Sequence, residues 1–73
     1  MPKLPVVATK KLVKALEKIG FYQDRSRGSH LVMINRDGRR TIIPMHGGDI
    51  PSGTLLAILK DLNISKEELA KLL

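Results

Sequence analysis

The sequence predicts an α+β domain in which a three-stranded antiparallel sheet carries its helices on one face, in the order α-β-β-β-α-α. Three observations lead there. Leu12, Val13, Leu16 and Ile19 recur at helical spacing near the N-terminus. Three short runs between residues 21 and 45 are separated by turn signals, the strongest being Asp37-Gly38 between apolar stretches. A second helical stripe, Leu55, Ile58, Leu59 and Leu62, then follows Pro51. Helix, hairpin strands and helices of this size close into two layers around one core.

Each element has its own warrant. Thr9 is the expected N-cap of the first helix, with Lys10, Lys11, Lys14, Glu17 and Lys18 on its outer side and Gly20 as its stop. Phe21-Tyr22-Gln23-Asp24-Arg25 forms the first strand, and a turn through Ser26-Arg27-Gly28 leads to the second, at about Ser29–Asn35. The third strand runs over about Arg40–Met45. Asp49 is expected to cap near the second helix, and Asn63 ends that helix. Ser65 and Glu68 are spaced as a capping box, and Ile64 and Leu69 as its hydrophobic staple. The short helix that they open is expected to dock through Leu69, Leu72 and Leu73, because a segment of this length is not helical alone.

Composition sets bounds on function. With 73 residues there is room for one domain, spanning 1–73, and such a chain buries only about 60% of its unfolded surface. There is no cysteine, and two histidines with seven carboxylates form no compact ligand cluster, so no metal or other cofactor is expected. Leu4-Pro5-Val6-Val7-Ala8 is too short and too proline-broken for a signal peptide, and no apolar run approaches a membrane span. A cytoplasmic protein without a membrane partner is expected. The formal charge of +6 lies entirely within residues 1–49, which hold ten basic and four acidic side chains. Such a field suits a polyanion, nucleic acid above all, although a basic surface can also serve solubility alone.

The chemistry is concentrated at Arg27-Gly28-Ser29-His30, where a basic turn meets the apolar strand Leu31-Val32-Met33-Ile34. Strand alternation puts Leu31 and Met33 on one face and His30, Val32 and Ile34 on the other. Only one face can be covered by this chain's own helices, so the second is expected to show an apolar patch for a partner, or to be screened by arginine stems or Tyr22. A lone strand histidine is commonly structural. Here Gly28 and Ser29 offer turn amides and a hydroxyl to a phosphate, and Arg25, Arg27, Arg39 and Arg40 offer charge-assisted contacts. An imidazole can serve as acid or base near neutral pH. His46, at the end of the third strand, is a possible auxiliary group or a turn-organising one. Lys10, Lys11 and Lys14 form either a solvated helix face or a stripe that follows a nucleic-acid backbone.

Gly20-Phe21 after a lysine-rich helix, Gly28-Ser29-His30 entering a strand, Pro44 and His46 closing the next, then Gly53-Thr54-Leu55 and Ile58-Leu59, together resemble the HicA-type mRNA interferase toxins of toxin–antitoxin pairs. The likeness runs from about Val7 to Leu73. It implies a fold similar to the double-stranded RNA-binding domain. It also implies the toxin of a type II toxin–antitoxin system, a metal-independent endoribonuclease that cleaves mRNA through a catalytic histidine, here His30. A HicB-type antitoxin would cover the active surface, and DNA would not be a substrate of this chain alone, because it lacks the 2′-hydroxyl. Two other readings stay open: a non-catalytic RNA-binding module, and a protein-interaction domain that uses the open sheet face.

Overall fold

A computed structural model describes residues 4–45 and 47–73. The order is α1 (Thr9–Lys18), β1 (Phe21–Arg27), β2 (His30–Asn35), β3 (Arg40–Pro44), α2 (Ser52–Leu62) and α3 (Lys66–Leu72). The three strands form one antiparallel sheet in the order β1-β2-β3. This is the α+β arrangement that the helical stripes and the Asp-Gly turn predict.

One cluster of buried side chains holds the layers together. Leu12, Val13 and Leu16 of α1 and Leu55, Ile58, Leu59 and Leu62 of α2 meet Phe21, Leu31, Met33 and Ile43 of the sheet. The helices therefore cover the face that carries Leu31 and Met33, and leave His30, Val32 and Ile34 on the other. α2 ends at Asn63, which takes the left-handed conformation that asparagine tolerates, with φ 55°. The capping box forms as expected: Glu68 N–H donates to Ser65 Oγ at 3.0 Å, and Ser65 N–H to Glu68 Oε1 at 3.4 Å. Leu69 is fully buried, Leu72 is half-buried and Leu73 is largely exposed, so α3 docks mainly through one leucine. Lys18 Nζ adds a bond of 3.0 Å to the Leu72 carbonyl, a cation at a helix C-terminus.

Several local expectations are corrected. Thr9 is the first helical residue rather than the cap, a position that Ala8 holds without a side-chain bond. The cause is a backbone pairing: Ile50 N–H donates to the Val7 carbonyl, and Ala8 bridges Asp49. Thr9 is thereby laid beside Gly48, whose carbonyl accepts both its N–H at 3.0 Å and its hydroxyl at 3.1 Å. Asp49 belongs to that bridge, and α2 has no side-chain cap; Pro51 stands just outside the helix, at its N-cap. The first strand continues through Arg27, so the β1–β2 connection is the two-residue turn Gly28-Ser29, in which Gly28 adopts φ 59°. No heavy atom lies within 4 Å of where a Cβ on Gly28 would sit, so the turn's backbone angle, not close packing, calls for glycine here.

The β2–β3 turn is tied down from several sides. Gly38 N–H donates to the Asn35 carbonyl, with Gly38 at φ 98°, and Asn35 N–H donates to the Arg39 carbonyl. Asn35 Nδ2 reaches the Ile19 carbonyl at 3.1 Å, so the end of α1 and the end of β2 are joined. Arg39 Nη1 reaches the Leu62 carbonyl at the end of α2 at 2.8 Å, and its guanidinium lies 5.1 Å from the centre of the Phe21 ring.

Candidate functional site

Cross-strand partners share a face, so the register defines the open side of the sheet in three rows: Arg27, His30 and Pro44; Arg25, Val32 and Ile42; Tyr22, Ile34 and Arg40. His30 is exposed in the first row, at the tip of the β1–β2 hairpin. Beside it the face forms an open depression of about 640 Å³, lined by Arg25, Arg27, His30, Val32, Arg40 and Ile42. Three guanidiniums and an imidazole stand among these nine residues, with no carboxylate. Asp24 is just beside them and pairs with Arg25 Nε at 3.1 Å, in an exposed geometry that is worth little.

A β-bulge sets this arrangement. The register shifts between Gln23 and Arg25, so Asp24 is an extra residue with no partner of its own in the ladder. Uninterrupted alternation from the buried Phe21 would put Gln23, Arg25 and Arg27 on the core side. The added residue returns Arg25 and Arg27 to the side of Tyr22 and His30, because a one-residue slip exchanges the faces of everything beyond it.

Pro44 suits its place beside His30. Met45 N–H donates to the Ser29 carbonyl, and Leu31 and Ile43 are partners two positions further on, so in the alternating antiparallel ladder residue 44 owes no donor to β2. The open face is partly self-screened. Val32 keeps only 9% of its surface although no helix covers it, whereas Ile42 beside it stays 48% exposed. Val32 lies on the central strand between its partners Arg25 and Ile42, whereas Ile42 lies on the outer strand β3.

The other sequence-predicted residues fall elsewhere. Gly28 and Ser29 form the hairpin tip directly before His30. Lys10 lines a separate depression with Ala8, Thr9, Met45, Gly47 and Gly48, at the same end of the sheet as Ser29, and Lys11 and Lys14 face solvent from α1. Arg40 stands two rows from His30. The Arg39 guanidinium is drawn to Asp37, Leu62 and Phe21 and is not part of the group around His30. His46 lies outside the described residues. No group of three or more His, Asp or Glu among the described residues could hold a metal ion, and no helix among them is long and apolar enough to cross a membrane. The fold lowers the pKa of Asp37: the Arg39 backbone N–H holds the carboxyl below its usual range, desolvation opposes it, and the hydrogen bond and charge of the Arg39 guanidinium add to the lowering.

A family model described as the HicA toxin of bacterial toxin–antitoxin systems matches residues 9–64, from the first residue of α1 to just past α2. The chain belongs to the HicA toxin family. Comparison with curated proteins returns no match. In this HicA toxin the matched segment includes the whole sheet, the β1 bulge and His30, while α3 lies beyond it. Membership makes the chain the toxin of a toxin–antitoxin pair, with an antitoxin as its partner.

Proposed function

We propose that this toxin is an endoribonuclease that cleaves mRNA without a metal ion, that His30 moves the proton in that reaction, and that a HicB-type antitoxin silences it. The observation that carries the reading is the row Arg27, His30 and Pro44, with Arg25 diagonal to the histidine across the bulged strand. An exposed imidazole between a guanidinium and an open groove has what phosphodiester transfer to a neighbouring hydroxyl requires. The ribose 2′-oxygen attacks phosphorus, the bond from phosphorus to the 5′-oxygen breaks, and a 2′,3′-cyclic phosphate remains. His30 serves as base for the 2′-hydroxyl proton or as acid for the leaving 5′-oxygen. Arg27 and Arg25 neutralise the charge that gathers on the phosphoryl oxygens. One acid–base group contributes about 10²–10⁴-fold, so a slow nuclease is expected.

The test is cleavage of a labelled single-stranded RNA in EDTA, with a matched DNA control, by wild type and His30→Ala. Cleavage of RNA alone, lost in the variant while RNA is still bound, is the expected result. RNA bound equally by both but cut by neither identifies a binding module instead. Negligible RNA affinity even at low salt, where a basic binder is strongest, points to the protein-interaction reading.

A further inference from the structure

The row furthest from His30 has no role in that chemistry, yet it holds the chain's one exposed aromatic ring. The sequence has a single tyrosine, a single phenylalanine and no tryptophan. Phe21 is buried beneath Arg39, whereas Tyr22 is 46% exposed on the open face, across Ile34 from Arg40. We propose that Tyr22 is a stacking subsite for a nucleobase of single-stranded RNA, with Arg40 holding a neighbouring phosphate.

The spacing supports this. Ile34 lies four residues along β2 from His30, about 13 Å at strand rise, so a base on Tyr22 belongs to a nucleotide beyond the two that flank the cleaved bond. Tyr22 and Arg40 stand on the two outer strands, about 10 Å apart across β2, far enough for a base on one and its chain's phosphate on the other. Between them and His30 the groove floor is Val32 and Ile42, apolar and free of carboxylates, so an RNA strand crossing it meets cations at both ends and no repulsion. A duplex has its bases stacked internally and offers none to the ring, which makes the subsite selective for single strands.

The proposal takes RNA as the ligand and so rests on the proposed function, but its test can be read without cleavage. Tyr22 is the only source of tyrosine emission in a chain without tryptophan. Titration with a short single-stranded RNA, with binding followed independently by anisotropy of a labelled strand, is expected to quench that emission. The fully paired form of the same RNA is expected to bind without quenching. Tyr22→Leu is expected to weaken affinity by about 5- to 150-fold, with Tyr22→Phe close to wild type, as for loss of one stacked base. Replacing bases one at a time by abasic ribose should reveal a position where wild type loses affinity and Tyr22→Leu loses no more. Unchanged emission at saturating RNA, or identical abasic profiles for wild type and Tyr22→Leu, overturns the subsite. If RNA is bound and quenches the ring but is not cut, the nuclease reading falls and the subsite stands; if no RNA is bound, both fall.

Discussion

Arg39→Ala is expected to unsettle the fold while leaving the chemistry around His30 in place. Its guanidinium donates to the Leu62 carbonyl at 2.8 Å, a charge-assisted bond worth about 1.5–3 kcal/mol. It also lies 5.1 Å from the centre of the Phe21 ring, a cation–π contact worth about 0.5–1 kcal/mol at a partly exposed site. The exposed pair with Asp37 is left out of the sum. The loss is then about 2–4 kcal/mol, where a chain of this length has about 4–11 kcal/mol in total. At about 4–8 °C per kcal/mol, the melting temperature should fall by about 10–30 °C. Urea unfolding followed by circular dichroism at pH 7 measures it, and a loss below about 0.5 kcal/mol would refute the reasoning. RNA binding supplies the contrast. Arg25→Ala is expected to lower the slope of log affinity against log salt by about 0.7 for the single-strand phosphate contact it loses, and Arg39→Ala to leave the slope unchanged. Acid supplies a second check. The Arg39 N–H and guanidinium hold Asp37 below the ordinary carboxylate range, so its contribution is complete above that range and disappears as pH falls through the lowered value. Asp37→Asn should therefore destabilise at neutral pH and converge with wild type in strong acid.

Two further perturbations test the sheet. Deleting Asp24 removes the bulge but leaves Tyr22, Arg25 and Arg27 on one face, so folding and RNA binding should survive; deleting Ser26 turns Arg27 away from His30 and should abolish cleavage. Equal losses from both deletions, measured on the same labelled RNA, would contradict the bulge argument. Thr41→Val should stabilise by about 1 kcal/mol in urea unfolding, because Thr41 Oγ1 is buried opposite Met33 with no partner among the described residues.

The parts of this fold legible in the sequence are those in which local pattern and final environment agree. Leu55, Ile58, Leu59 and Leu62 are buried as their spacing requires, and the Ser65–Glu68 box is complete within four residues. The two faces of β2 were equally legible, since alternation alone separates Leu31 and Met33 from His30, Val32 and Ile34. The first strand is a different case. Beyond Phe21 it reads Tyr-Gln-Asp-Arg-Ser-Arg, with no apolar alternation to mark either its length or its faces, and all six residues are exposed. The bulge at Asp24 therefore left no pattern, and only pairing with β2 shows that Arg25 and Arg27 join His30. Tertiary partners explain the rest. Thr9 is diverted from capping by Gly48, and Arg39 is drawn away from its neighbour Arg40 by the end of a helix 23 residues later.

These differences separate stability from function along the sheet. Phe21, Asn35 and Arg39 gather at one end, where the ends of α1 and α2 converge and each bond joins two elements. Arg25, Arg27 and His30 gather at the other, on a hairpin whose first strand is exposed from Tyr22 onward. A side chain there has little packing to lose when it is changed, so the hairpin tip can carry two guanidiniums and an imidazole close together without the core having to hold them. The cost is an open strip at Ile42, on the outer strand. That strip lines the same depression as His30. On the proposed function, Ile42, one of several exposed apolar residues, is where an antitoxin would gain burial beside the histidine.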